Sequence, residues 1–142
     1  MQVKDIMTAH PVWVMPEDTV SLAGRRMAQE NVGVLPVCSR DGKLRGMLTD
    51  RDIVLRCVAP EEEATELTVR QVMTRQVISV SPEDSVAEAL SRMGQWQLRR
   101  LPVEEKGRLV GMISLGDLSG QKSCRMEAAK ALWDIVRPIR KS

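Results

Sequence analysis

The chain has no phenylalanine, no tyrosine and only three tryptophans among its 142 residues. Its core therefore has to be built from Val, Leu, Ile, Met and Ala. Nine methionines suit that task as adaptable apolar filling. Cysteine is scarce, at positions Cys38, Cys57 and Cys124, with no C-x-x-C spacing, and His10 is the single histidine. A zinc site needs four clustered ligands, and this inventory does not supply them. No metal is expected, and the thiols read as reduced. His10, beside Pro11, reads as a loop residue; a general base would need an acid and a substrate pocket with it. Charge of one sign is also missing: 21 basic side chains face 19 acidic ones, a net charge of +2. That balance argues against a nucleic-acid partner, as does the lack of a helix-turn-helix outside the repeats described below. The terminal "RPIRKS" reads as a weakly basic, solvated end. No apolar run approaches the roughly 20 residues of a membrane span. The first ten residues lack the apolar core of a secretory signal. The expectation is a cytoplasmic protein with no membrane partner. With 43% apolar and 28% charged residues, the chain is also not a disordered one.

What the sequence does contain, it contains twice. "VKDIMT" (Val3–Thr8) falls on "VRQVMT" (Val69–Thr74), and "VMPEDTV" (Val14–Val20) on "VSPEDSV" (Val80–Val86). Ala23, Arg26 and Met27 fall on Ala89, Arg92 and Met93, and Leu35–Val37 on Leu101–Val103. The register then slips by one residue in a turn, where indels cost least. Beyond it "GMLTDRDI" (Gly46–Ile53) matches "GMISLGDL" (Gly111–Leu118). Each copy, at about 50 to 60 residues, is near the lower limit for independent folding. The two are expected to pack face to face and share one core.

Within each copy the pattern gives a short helical turn, a strand ("PVWVM", "VISVS"), a helix, two hairpin strands and a second helix. Val20, Ala23, Met27 and Ala28 share one helical face, as do Val86, Ala89, Leu90 and Met93. Ser85, with Glu88 three residues on, is a helix start signal. The boundaries fall at 1–60 for the first repeat, 61–67 for an acidic linker, 68–120 for the second repeat and 121–142 for a terminal helix and tail. That terminal helix carries an apolar stripe, Met126, Ala129, Trp133 and Val136, and stops at Pro138. In a chain this poor in aromatics, Trp133 reads as part of an association patch.

The repeated hydroxyl-x-x-Asp, Thr49 with Asp52 and Ser114 with Asp117, has two readings. It caps a helix, or it offers a carboxylate to a ribose cis-diol and a hydroxyl to phosphate at a helix start. The two uses can coexist. Asp50 and Asp52, flanking Arg51, read as a solvated helix start rather than a Mg²⁺ site.

In their order, twice over, these motifs resemble a tandem pair of cystathionine β-synthase (CBS) domains, from about Val3 to Leu118. The resemblance implies an α/β (α+β) fold: two β-α-β-β-α repeats packed with pseudo-twofold symmetry, with a terminal helix added. It is similar to free-standing bacterial and archaeal CBS pairs, since removing the repeats leaves about 20 residues, too few for a catalytic domain. It implies an adenosine-containing regulatory ligand: AMP, ADP or ATP, less so S-adenosylmethionine or an NAD-type dinucleotide. It implies inter-repeat clefts that cross the copies. One is expected to hold Thr8, Val12, Val32 and Gly33 with Ser114 and Asp117. The other is expected to hold Thr49 and Asp52 with Thr74, Ile78 and Leu98. Arg99 and Arg100 stand where nucleotide-binding relatives hold a phosphate-touching basic pair, and a guanidinium suits that task. Gly33 and Val34 replace them in the first copy, so the cleft built on Ser114 and Asp117 is favoured. The expected function is a non-catalytic sensor module, forming a homodimer and acting on a protein partner. No catalytic cofactor is expected, because no nucleophile–base pair, metal cluster or phosphate-cradling glycine loop is present. The alternative is a ligand-independent dimeric interaction module.

Overall fold

The computed structural model describes residues 1–138; residues 139–142, the end of the weakly basic tail, lie outside the described residues. After a 3-10 turn at Val3–Asp5 come β1 (Thr8–Ala9), α1 (Val20–Glu30), β2 (Val34–Cys38) and β3 (Leu44–Thr49). They are followed by α2 (Asp50–Ile53), which runs on as a π-helical turn at Val54–Val58, and by α3 (Val69–Val72). Then follow α4 (Val86–Trp96), β4 (Arg100–Glu105), β5 (Arg108–Ser114), α5 (Leu115–Ser119), a 3-10 turn at Lys122–Cys124 and α6 (Arg125–Val136).

These elements form two compact units that do not coincide with the sequence copies. The first unit is Val12–Val77 with Gly107–Leu109; the second is Met1–Pro11, Ile78–Lys106 and the chain from Val110 onward. Each unit has its own core, where one shared core was expected. Val14, Val20, Leu35, Val37 and Leu48 fill the first, and Val69, Val72 and Met73 from the second copy complete it. Val80, Met93, Leu101, Ile113 and Leu118 fill the second, completed by Val3 of the first copy. The physical reason is an exchange of the opening turns. Val3 N–H donates to the Asp84 carbonyl at 2.9 Å and Lys4 N–H to that of Pro82 at 3.0 Å. In the first unit Val69 N–H donates to Asp18 at 2.8 Å and Arg70 N–H to Pro16 at 3.0 Å. The repeated "PED" is the receiver in both cases. Its Asp closes the receiving turn, Asp18 Oδ2 accepting from Met15 N–H and Asp84 Oδ2 from Ser81 N–H, each at 2.8 Å. Thr19 and Ser85 then cap α1 and α4 by accepting from Leu22 and Glu88 N–H.

The first expected strand of each copy shrinks to a single parallel bridge, Val14 with Val37 and Val80 with Val103. Proline stops the ladder on both sides. The next donors would be Pro16 and Pro36 in one copy and Pro82 and Pro102 in the other, and none has an N–H. β2 and β3 pair antiparallel, from Val34 opposite Thr49 to a bulge at Val37/Cys38. β4 and β5 turn through Lys106 and Gly107, with φ of 53° and 79°, the two positive values of a tight hairpin turn. The first copy spends an extra residue in its turn, which accounts for the slip in the repeat.

The sheet order β1-β5-β4 explains the glycine of the repeated motif. Thr8 lies opposite Met112 and Ala9 opposite Gly111. A Cβ on Gly111 would stand 3.0 Å from the Thr8 carbonyl oxygen and 2.6 Å from Met7 Sδ. A Cβ on Gly46 would stand 2.7 Å from the Thr74 carbonyl oxygen. Both glycines let an exchanged segment lie flat on its strand.

Two apolar assignments need correcting. Ala28 is exposed, while Val20, Ala23 and Met27 are buried. On α6 the buried positions are Ala128 and Ala131, whereas Met126 is 84% and Trp133 67% exposed. Small residues face the core because α6 closes on Gly94 of α4, where a Cβ would meet Asp134. The larger residues that define the stripe in sequence are left on the far side. No helix among the described residues is long and apolar enough to cross a membrane.

Cys38, Cys57 and Cys124 are free and buried. Burial pushes the Cys38 thiol up to about 11 from 9.0, so the folded protein keeps it neutral. The stability this contributes is whole below pH 9 and is lost as pH rises toward 11. Native protein at pH 8 is expected to resist iodoacetamide at all three thiols, with full labelling in urea. Gly111→Ala is expected to destabilise by about 1–3 kcal/mol in urea unfolding, as an overpacked site does. Gly24→Ala, where no atom lies within 4 Å of the added carbon, is expected to raise stability by up to about 1 kcal/mol through helix propensity.

Candidate functional site

Each hairpin ends on a hydroxyl and passes directly into a short helix. In the second unit Ser114 Oγ accepts from Asp117 N–H at 3.0 Å, and Asp117 Oδ2 accepts from Ser114 N–H at 3.2 Å. In the first unit Thr49 and Asp52 exchange the same two bonds at 3.0 Å each. Both are reciprocal capping boxes with Asp in the acidic position. The capping reading therefore holds, and it uses only one oxygen of each carboxylate.

The second oxygens differ. Asp52 Oδ1 is 3.3 Å from Thr74 Oγ1 and 3.9 Å from the Arg56 guanidinium, and its side chain is 12% exposed. Arg56 is held in place by donating to the Val72 and Met73 carbonyls at 2.8 and 3.0 Å. Gln121 stands at the matching place in the second copy and carries no charge. Asp117 is exposed, and among the described residues its Oδ1 has no partner. Of the two repeated carboxylates, Asp117 is the one with an acceptor to spare.

The residue before each apolar strand docks at the head of its own copy's helix. Arg99 carbonyl accepts from Leu115 N–H at 2.7 Å, and Gly33 carbonyl from Asp50 N–H at 2.9 Å. A Cβ on Gly33 would meet Asp50 Oδ2 at 2.8 Å. The first helix head is thus covered by a carboxylate, the second by the apolar Leu115 with Arg99 alongside.

The candidate residues are divided between the two units. Thr8, Ile78, Leu98, Arg99, Arg100, Ser114 and Asp117 belong to the second unit. Val12, Val32, Gly33, Thr49, Asp52 and Thr74 belong to the first. Thr8 does cross from the other copy: it sits opposite Met112, two residues before Ser114 and on the same face of the sheet. Thr74 bears the same relation to Met47 and Thr49. Ile78 and Leu98 pack, partly buried, on the second core, and Val12 and Val32 on the first. Gly33 is bonded to Asp50 and Arg99 to Leu115, each within its own copy.

A cavity of about 460 Å³ opens in the second unit at this helix head, within the range of small-molecule sites. Arg99, Arg100, Ser114 and Leu115 line one side, with Ser119 beyond them. Arg125, Ala128, Ala129 and Leu132 of α6 form the other. Arg125 and Ser119 carry no repeat signal and lie outside the motifs, so sequence reasoning missed them. The first unit has a cavity of about 370 Å³ beside Arg45, Arg70 and Arg75, and none of the candidate residues lines it. Among the described residues no group of three or more His, Cys, Asp and Glu is placed to hold a metal.

Two exchanged opening turns and two capped hairpin ends define a tandem CBS-domain pair. The CBS domain profile matches residues 3–58 and 69–121, and the chain belongs to that family. It is 41% identical over 133 residues to the CBS domain-containing protein YhcV of Bacillus subtilis, covering 94% of each chain. Among solved structures, hypoxic response protein I with two coordinated zinc ions superposes with a TM-score of 0.79 at 33% identity, covering 85% of this chain and 98% of that one. The CBS domain pair of protein MJ0100, in complex with 5′-methylthioadenosine and S-adenosylmethionine, gives 0.75 at 26% identity, covering 84% and 94%. Helix α6 lies beyond the second profile match.

Because Asp117 both caps and keeps a free oxygen, two substitutions separate its roles. Asp117→Ala is expected to cost about 1 kcal/mol in urea unfolding, the usual loss of a cap partner. Asp117→Asn, whose Oδ1 can still accept from Ser114 N–H, is expected to stay within about 0.5 kcal/mol of the parent.

Proposed function

We propose that the chain is a non-catalytic regulatory module that binds an adenosine-containing ligand at the helix head of its second unit. The observation that carries this reading is the free, exposed Oδ1 of Asp117, whose capping partner Ser114 lines a cavity. A carboxylate oxygen there can accept a charge-assisted hydrogen bond from a ribose hydroxyl. In this reading Ile78 and Leu98, partly buried on the same core, are assigned to the base, and Thr8, paired with Met112 two residues before Ser114, adds a hydroxyl. The complex of MJ0100 with two adenosine derivatives supports the ligand class. Asp52, already engaged by Thr74 and Arg56, makes the site at Thr49 and Thr74 the lesser one.

Thr8 comes from the first sequence copy, and Ser114 and Asp117 from the second. A ligand touching all three ties the exchanged Met1–Pro11 segment down in its unit. Binding then favours the state in which that segment is docked, which is how a non-catalytic domain passes a signal on. Titration calorimetry with AMP, ADP, ATP, S-adenosylmethionine and 5′-methylthioadenosine tests the reading. At least one is expected to bind and to raise the melting temperature, the stabilisation reaching about 2.7 kcal/mol at a ligand concentration of 100 Kd. No heat and no shift from any of the five at millimolar concentration would remove the proposal.

A second reading, compatible with the first, rests on the outer face of α6. Met126, Trp133 and Val136 are exposed there, an apolar stripe of the kind that a second copy covers. We assign this face to a homodimer. Size-exclusion chromatography with light scattering is expected to give a dimer for the parent and a monomer for Trp133→Glu. A monomeric parent would refute it.

A further inference from the structure

We propose that the first unit carries a separate binding site, for a compact anion of two or more negative charges with no nucleoside attached. The site is the hollow of about 370 Å³ lined by Arg45, Arg70 and Arg75. None of the residues assigned to the nucleoside lines it, so it stands or falls independently of that reading.

Three stretches of chain bring the guanidiniums to this hollow, and backbone contacts fix them there. Arg70 N–H donates to the Pro16 carbonyl at 3.0 Å, and Thr74 and Met47 exchange two hydrogen bonds of 2.9 Å. Arg75 follows Thr74 directly. Arg45 lies two residues before Met47 on β3, on the same face of the strand. Arg70 and Arg75 thus arrive on the segment that the second sequence copy contributes to this unit, and Arg45 belongs to the first copy.

The charges do not cancel. Glu17 is the one carboxylate of the lining, and its Oε1 already pairs with Arg70 at 3.1 Å. Among the described residues neither Arg45 nor Arg75 has an ion-pair partner. Arg45 Nε donates only a long bond of 3.4 Å to the Ser39 hydroxyl, which also lines the hollow. The buried Pro16 and Met73 complete the lining, and apolar walls beside like charges strengthen the field an anion meets. A guanidinium presents a permanently charged planar fork that matches carboxylate and phosphate oxygens. Two such forks without a counterion call for an anion with at least two charges. The paired Glu17 leaves no carboxylate free to accept from a sugar diol, which is why the ligand is a bare anion.

The repeat supplies an internal comparison. Pro16, Glu17 and Met73 match Pro82, Glu83 and Met7, so the scaffold is common to both copies. The cations are not: Arg45 matches Val110, Arg75 matches Ala9, and Arg70 matches Lys4. The second unit completes its core with Val110 and Ala9 in those places, so the fold does not require the arginines. A bound anion between Arg45 and Arg75 would tie the contributed segment to β3.

The test is calorimetry of the full chain with inorganic pyrophosphate and with citrate, at a constant ionic strength of about 0.15 M so that general screening is the same throughout. At least one of the two is expected to bind, and the tighter one tells whether a phosphate or a carboxylate anion is the source. Arg45→Val and Arg75→Ala should each weaken that binding about tenfold, the scale of one lost charge-assisted contact. Arg75→Lys should recover part of the loss. Arg25→Ala, an exposed cation on α1 outside the hollow, should leave binding unchanged. Amide exchange in Val69–Arg75 should slow with the anion in the parent and not in Arg75→Ala. No binding of either anion at millimolar concentration overturns the proposal. So does binding that survives both Arg45→Val and Arg75→Ala, or that falls as far in Arg25→Ala as in Arg75→Ala. Arg45 and Arg75 are exposed, and an unchanged melting temperature of the free variants will show that the fold is intact.

Discussion

Four backbone hydrogen bonds organise this molecule: Val3 and Lys4 onto Asp84 and Pro82, and Val69 and Arg70 onto Asp18 and Pro16. They seat the opening turn of each sequence copy in the unit built by the other. Val3, Val69 and Val72, each at most 1% exposed, are carried into those cores by the exchange. A buried valine contributes roughly 1.5–3 kcal/mol relative to an exposed one, so neither unit is complete without its neighbour's segment. The same exchange brings Thr8 to the strand that ends in Ser114, and Thr74 to the strand that ends in Thr49. The fold thus brings a hydroxyl residue of each copy to the other copy's capped hairpin strand as a by-product of completing each core.

Duplication makes two similar helix heads, and a few side chains make them chemically unequal. In the first unit the second oxygen of Asp52 faces Thr74 and Arg56, and Asp50 covers Gly33. In the second unit the corresponding oxygen of Asp117 is open, Leu115 replaces Asp50, and arginines replace Gly33 and Val34. An acceptor with no partner and cations with no counterion are what a ribose phosphate would satisfy. The inequality arises because each half of a duplicated core is held by the same backbone contacts, which leaves the side chains at the helix heads free to diverge.

Much of this was legible in the sequence, for physical reasons that particular residues make plain. The hydroxyl-x-x-Asp spacing is the spacing of a capping box, so Thr49–Asp52 and Ser114–Asp117 announced both the helix starts and the candidate carboxylates. Val86, Ala89, Leu90 and Met93 fall on one face of α4 because helical periodicity and burial agree there. The exchange was not legible: "VKDIM" opens its own copy in sequence, and only the Asp84 and Pro82 carbonyls reveal which core receives it. The shortened first strands could have been read from Pro16, Pro36, Pro82 and Pro102, had the missing donors been counted across the bridge. On α6 the eye follows the large residues Met126 and Trp133, whereas close helix packing at Gly94 selects the small ones. Arg125 gave no signal because it has no counterpart in the repeat.

The most direct test of the account is the stoichiometry of ATP binding by native mass spectrometry, on the parent chain and on the Asp52→Asn and Asp117→Asn variants. The account predicts one ATP per chain, kept in Asp52→Asn and lost in Asp117→Asn. Two ATP molecules per chain, or binding that survives Asp117→Asn and disappears in Asp52→Asn, would contradict it.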